Sequence, residues 1–255
     1  MFFDMTVKPD LAALHRLLKH PQLSFVHMSP PDGTCSRARE RARRGVPGGG
    51  PPPLRSDDFP LGFPDLSERL PSHVARVEAE NDVCQACTTI AEDLLSRSVA
   101  FASGAPRDSL LWKIPHMKAL ISKPTVSRVD FQHCMYGGSH SQWTSFHFAP
   151  AGLFDGLAIE CDGSHKHESR SRLPDGTFSS ALVTVYPQDL CDAMRNHLLS
   201  ALNLSELQPL PVQRARGSPL AAPPRDDRAA SGLQPRGVRA RRLLPEFKEV
   251  ILGAW

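Results

Sequence analysis

The sequence predicts an α/β fold, a partial Rossmann-like sheet in which short apolar strands alternate with helices. Residues 2–7 and 23–28 are apolar runs of strand length. Four leucines between them recur at helical spacing: Leu11, Leu14, Leu17 and Leu18. A longer helical pattern at 72–97 leads into another short apolar run at 98–102. Because a helix that connects neighbouring strands makes them parallel, this order indicates Rossmann-type units.

Local signals set the bounds of these elements. The double proline and glycine at 30–33 end the second strand abruptly, and Ser72 is a candidate N-cap of the long helix. Cys84 and Cys87 lie on that helix as a Cys-x-x-Cys pair. We predict that both are core residues, because neither a helix start that lowers a thiol pKa nor a second close pair accompanies them.

The second half continues the same alternation. A helix is expected to begin at Asp108 or Ser109, with Trp112 as a packing residue, and 125–131 alternates enough to be a strand. The pattern at 188–202 predicts a last helix. Proline (24 residues) and glycine (17 residues) concentrate in two stretches, which we expect to be disordered. The chain thus divides into a strand-helix-strand start at 1–34, an Arg/Gly/Pro-rich insertion at 35–71, the rest of the core at 72–124, a smaller α+β segment at 125–204 and a mobile basic tail at 205–255.

Charge and cysteine content restrict the environment of the protein. A net charge of +3 permits contact with nucleic acid without requiring it. Six cysteines without a secretory leader suit a reducing compartment, so we expect an intracellular protein, nuclear or cytoplasmic. No run approaches the roughly 18 apolar residues of a membrane helix, so no membrane partner is expected. No pattern predicts an oligomeric state.

The loop after the second strand carries a family resemblance. Its sequence is Pro30-Pro31-Asp32-Gly33-Thr34-Cys35-Ser36, and loops at the carboxyl ends of such strands are where open α/β sheets place their chemistry. This loop resembles the proline-proline-cysteine loop of cytosine-5 DNA methyltransferases. With the later stretches 50–56, 108–112, 134–138 and 161–167, the chain is similar to methyltransferase-like reading frames that are multi-copy and associated with mobile elements in unicellular eukaryotes.

The resemblance implies that catalytic residues have been lost. In the family, a cysteine after the prolines attacks the base, and a glutamate in a Glu-Asn-like loop contacts the ring. Here Asp32 holds the position of the cysteine, and Gly104 and Ala105 hold the position of the Glu-Asn pair. A carboxylate is a poor substitute for a thiolate nucleophile. Cys35 is expected to be a neighbour rather than a relocated nucleophile. An amino-methyltransferase loop fits no better, because Asp32 lies where an aromatic ring should stack on a flipped base. The expectation is a degenerate, catalytically silent copy.

The same resemblance concerns the cofactor. In methyltransferases, an earlier strand and a glycine-rich loop hold S-adenosylmethionine. We expect that this chain, which starts at Met1, lacks both. Asp4 lies where an acidic residue often contacts the cofactor sugar. We therefore expect a truncated domain that does not bind S-adenosylmethionine.

The second half contains a candidate zinc site. Cys161 is followed, after the glycine at 163, by His165 and His167. On an extended segment, positions i and i+2 face the same side, so both imidazoles can reach one ion. Adding Cys134 completes the Cys2His2 set that tetrahedral zinc prefers. Cys191 is a reserve ligand. The alternative is a polar hairpin with ordinary surface histidines.

An arginine cluster suggests a second kind of function. It comprises Arg37, Arg39, Arg41, Arg43 and Arg44. A basic loop suits phosphate contacts with DNA or RNA, whereas a solvated disordered insertion is the other interpretation. Two functions therefore stay open, a silent methyltransferase-like protein and a zinc-stabilised nucleic-acid-binding module, beside a decayed gene product.

Overall fold

The computed structural model describes residues 2–3, 14, 17–21, 23–30, 32–40, 51–68, 71–168, 186–201, 238–242 and 249–254 of the 255-residue chain. The strands are β1 (Phe2–Phe3), β2 (Phe25–Ser29), β3 (Ala100–Pro106), β4 (Ser127–Gln132), β5 (Trp143–Ala149), β6 (Val238–Arg242) and β7 (Glu249–Ala254). The α-helices of two turns or more among the described residues are α1 (Pro71–Ser96), α2 (Pro115–Ile121) and α3 (Gln188–Ala201). Leu14, Leu17 and Leu18 are also helical.

The strands form one open mixed sheet in the order β1-β6-β7-β2-β3-β5-β4. Strand β2 is parallel to both β3 and β7, and the remaining neighbours are antiparallel. The pair β2 and β3 runs in register from Phe25 opposite Ala100 to Met28 opposite Ser103, and α1 makes the crossover between them. The α/β class predicted from the alternation is confirmed. The segment at 125–204 adds β4 and β5 to this same sheet.

Apolar residues cover both faces of the sheet. Because side chains alternate along a strand, Val26 and Met28 pack on the face that α1 and α2 cover, whereas Phe25 packs on the opposite face. That second face is covered by α3 and by the turn Asp155–Leu157. Strand β2 is thus buried on both sides, as its apolar run predicts.

Helix α1 agrees with the long helical pattern except at its start. It begins at Pro71, which suits the first helical turn because proline lacks the N–H that would be unsatisfied there; Ser72 therefore lies inside the helix and is not its cap. Cys84 and Cys87 are buried in the core on the sheet-facing side, which confirms their predicted role. At the other end of the chain, α3 buries Leu190 and Leu198 against the sheet.

Four strands differ from the sequence prediction. Strand β3 extends to Pro106 instead of ending at residue 102, because it pairs with β5 from Phe101 to Pro106. Strand β5 itself was not predicted, although Phe146 and Phe148 alternate as an inward-facing pair. In the tail expected to be mobile, β6 and β7 join the sheet, with β7 directly beside β2.

Candidate metal centre

Cys134 lies just after the end of β4, which is the last strand in the order of the sheet. The strand runs into a 3-10 turn, His133–Tyr136, that ends at Gly137 with a φ of 80°. The chain then passes so close to itself that a Cβ on Gly138 would lie 2.8 Å from the carbonyl oxygen of His133. Both glycines let the backbone double back here, and Cys134 is left buried with 8% of its surface exposed.

The other three candidate ligands lie on one surface segment, residues 161–167. Cys161 is half-buried, whereas His165 and His167 are exposed. The backbone turns at Gly163, where φ is 74° and a side chain would be strained. This turn brings both imidazoles back towards the Cys161 sulfur.

The four ligand atoms converge on one point. The sulfurs of Cys134 and Cys161 and one ring nitrogen each of His165 and His167 lie within 4.8 Å of one another. Cys161 Sγ is 3.8 Å from His165 Nε2 and 3.4 Å from His167 Nε2. In a tetrahedral shell with Zn–S of about 2.3 Å and Zn–N of about 2.0 Å, sulfur and nitrogen are about 3.5 Å apart. The two sulfur–nitrogen distances are close to this value, so the cluster could hold a metal ion, and the structure brings together the set that the sequence suggested.

Backbone groups support both ends of the ligand segment. Gly163 N donates to the Cys161 sulfur at 3.4 Å. At the far end, Glu168 N donates to Ser139 O at 2.8 Å, which ties the segment to the loop behind Cys134. Cys191, the reserve ligand, is exposed on α3 and does not belong to the cluster found among the described residues.

The loops that follow the parallel strands β2 and β3 meet at Asp32. Its carboxylate accepts a hydrogen bond from Ser109 Oγ, and Leu110 N donates to Cys35 O at 2.9 Å. Burial raises the pKa of Asp32 to about 7, and the neighbouring Glu80 charge contributes in the same direction. The predicted strand followed by a turn is confirmed, and Asp32 joins the two loops at the carboxyl edge of the sheet.

Cys35 lies in the core behind this loop. None of its surface is exposed, and burial raises the pKa of its thiol to about 12. Because the thiolate is the nucleophilic form, a protonated thiol without access to a substrate cannot start covalent catalysis. Cys35 is therefore a packing residue.

A buried arginine, which the sequence did not single out, fixes the Asp32 loop. Arg55 is 1% exposed, and it donates to Thr34 Oγ1 at 2.7 Å, to Asn81 Oδ1 at 2.7 Å and to Pro60 O at 2.6 Å. Glu80 completes the network by accepting from Thr34 N at 2.6 Å and from the Thr34 hydroxyl. No spacing rule marks these residues, since Arg55 follows a proline run and Glu80 lies on a helix rich in surface charges.

Gly104 and Ala105 lie in a strand and not in the expected loop. Both are within β3, where Gly104 pairs with Phe146 of β5. A Cβ on Gly104 would lie 2.5 Å from the Tyr186 hydroxyl and 2.6 Å from the Phe146 ring. The Tyr186 hydroxyl is itself held by His27 Nε2 at 3.2 Å. Position 104 therefore has no space for a side chain, which corrects the picture of a substituted catalytic loop.

The arginine cluster is only partly described. Arg37 bonds to Glu40 at 2.8 Å and to Asp57 at 2.7 Å, and Arg39 Nε donates to Gly33 O at 2.7 Å. These two arginines thus hold the loop in place through contacts within the chain. Phosphate binding by the cluster stays a prediction. The other residues proposed for cofactor or nucleic acid lie outside the described residues: Asp4, Arg41, Arg43 and Arg44.

Comparisons with known proteins give no assignment. No protein-family model matches the chain, and no curated protein or solved structure is significantly similar to it. Within the described ranges, no helix has both the length and the apolar character needed to cross a bilayer.

Proposed function

We propose that the chain is a zinc-stabilised α/β domain in which one ion, held by Cys134, Cys161, His165 and His167, has a structural role. The observation that supports this proposal is the convergence of two sulfurs and two imidazole nitrogens within 4.8 Å. Zinc is favoured by this donor set, because magnesium and calcium prefer oxygen ligands, whereas thiolate and imidazole suit zinc. None of the six described cysteines forms a disulfide, which fits a reducing, intracellular environment.

The number of ligands favours structure over catalysis. Four protein ligands fill a tetrahedral shell, so no position is left for an activated water. The segment 161–167 is mostly exposed and contributes no residue to the buried core, so an ion supplies the cross-link that packing does not. Zinc then fixes this surface segment to the end of β4.

Elemental analysis tests the zinc proposal directly. The purified full chain should contain about one zinc ion per molecule, and Cys161→Ser and His165→Ala should lose it together with thermal stability. Cys191→Ser is the matched control, because this exposed cysteine lies outside the cluster and its loss should leave the zinc content unchanged. Wild-type protein that neither contains zinc nor takes up one equivalent would overturn the proposal.

We further propose that the domain is a catalytically silent relative of cytosine-5 DNA methyltransferases. Two features support this: Asp32 holds the nucleophile position in the resembling loop, and the neighbouring Cys35 is buried. Neither of these groups supplies the thiolate that covalent attack on a base requires.

A transfer assay tests this second proposal. The chain, incubated with DNA of mixed sequence and S-adenosylmethionine labelled in its methyl group, should incorporate no label. Titration with S-adenosylmethionine alone should give no heat of binding. Incorporation that is abolished by Asp32→Ala would refute the proposal.

A further inference from the structure

One buried side chain contacts the candidate metal centre without being a ligand. Gln132 is the last residue of β4 and is 5% exposed. Its Oε1 accepts a hydrogen bond from Cys161 N at 2.7 Å, and its Nε2 donates to Ser141 Oγ at 2.9 Å. Its backbone N–H donates to Ile159 O at 3.1 Å. A single residue thus makes three hydrogen bonds around the ligand segment.

The position of Gln132 connects the two sulfur ligands. Cys134 follows two residues later in the chain, and the Cys161 backbone is hydrogen-bonded to the Gln132 amide. Strand β4 is held by β5, with Gln132 opposite Trp143, so the amide projects from a rigid element. The Cys161 N–H can only donate, so it fixes the amide with its oxygen towards Cys161, and Nε2 then donates to Ser141 Oγ.

We infer that Gln132 is the positioning residue of the metal centre: it holds the Cys161 backbone at the distance from Cys134 that a shared ion requires. This inference rests on the zinc site proposed above and adds the group that pre-organises it. Residues that orient metal ligands through hydrogen bonds change metal affinity by about 10–100-fold when they are removed. A neutral amide suits the role, because it satisfies the Cys161 N–H without placing a further negative charge beside two thiolates.

Metal affinity measured in three variants tests the inference. Competition with a chromophoric chelator should show that Gln132→Ala binds zinc at least tenfold more weakly than wild type. Gln132→Glu keeps an acceptor for Cys161 N and should fall between the two. Gln85→Ala, an exposed glutamine on α1, is the control of the same residue type and should be unchanged.

Cobalt(II) gives a second measurement that a general loss of stability would not produce. Substituted into the wild-type site, it should show the strong visible absorption of tetrahedral coordination, and Gln132→Ala should weaken or shift this band at saturating cobalt. If the wild-type chain binds metal and Gln132→Ala has the same affinity and spectrum, the inference is overturned while the zinc site stands. If the wild-type chain binds neither zinc nor cobalt, both proposals are overturned.

Discussion

Asp32→Asn should stabilise the protein above neutral pH and have little effect at acidic pH. The folded-state pKa of this carboxyl is about 7, whereas its ordinary value is 3.8. Between these two pH values the folded chain binds a proton that the unfolded chain does not. The protonated carboxyl therefore makes its full contribution to folding stability below about pH 4, and this contribution is lost as pH rises through 7.

The magnitude follows from the size of the shift. A difference of one pKa unit corresponds to about 1.4 kcal/mol, so a shift of roughly three units sets an upper bound of about 4 kcal/mol. Asp32 keeps part of its surface in contact with solvent, which screens the charge, and about 1–3 kcal/mol is the expected gain at pH 8.5. Asparagine retains an oxygen that can accept the Ser109 hydrogen bond and removes the repulsion from Glu80.

Urea unfolding followed by tryptophan fluorescence measures the effect. Wild type and Asp32→Asn should be compared at pH 4 and pH 8.5, since contributions shared by both proteins cancel in the difference. Asp108→Asn is the matched control, because its side chain is 70% exposed in the second of the two loops, and it should change stability by less than about 0.5 kcal/mol at either pH. An Asp32→Asn effect of equal size at both pH values would refute the reasoning.

Three further predictions concern the packing around these loops. Gly104→Ala should lower the free energy of unfolding in urea by about 1–3 kcal/mol, because the added methyl group meets Tyr186 and Phe146. Adding Tyr186→Phe to this variant should partly restore stability, and an unchanged unfolding midpoint for Gly104→Ala would contradict the close packing. Arg55→Leu should lower the free energy of unfolding by about 3–5 kcal/mol, because it leaves the buried oxygens of Thr34, Asn81 and Pro60 without their donor. Arg97→Leu at the surface should lower it by less than about 1 kcal/mol. Burial lowers the pKa values of His27, His133 and His147 from 6.5 to about 4. Their contribution to the free energy of unfolding should therefore be full above pH 6.5 and fall by up to about 4 kcal/mol per pH unit towards pH 4. A flat pH profile in metal-free Asp32→Asn protein would contradict this.

The sequence predicted those elements whose apolar pattern follows directly from how they are buried. Strand β2 is buried on both faces and reads as a mainly apolar run, and α1 shows apolar positions along its length. Strand β5 was missed because polar residues such as Thr144 and His147 are buried in it, and the hydrogen bond of Thr144 to His133 depends on the tertiary structure. The end of β3 was misplaced for a similar reason, since Gly104 is a strand residue only because β5 pairs with it.

The metal ligands could be predicted, whereas their support could not. Cys161, His165 and His167 are close in sequence, so residue type and spacing were sufficient, and Cys134 followed from the need for a fourth donor. Gln132 carries no such signal, because a glutamine at the end of a strand is unremarkable until the fold places Cys161 N against it. Interactions between residues far apart in sequence depend on the tertiary structure, and pattern reasoning on one chain does not reach them.

The hydrogen bond from Gln132 N to Ile159 O has a consequence for solubility. It covers the outer side of β4 at its carboxyl end, where the last strand of an open sheet would otherwise offer an unsatisfied amide to a neighbouring chain. Ile159 directly precedes the ligand segment 161–167 that a zinc ion would tether. Metal supply would then govern aggregation as well as folding, and chelated protein should form intermolecular β-structure at concentrations where the loaded protein stays dispersed.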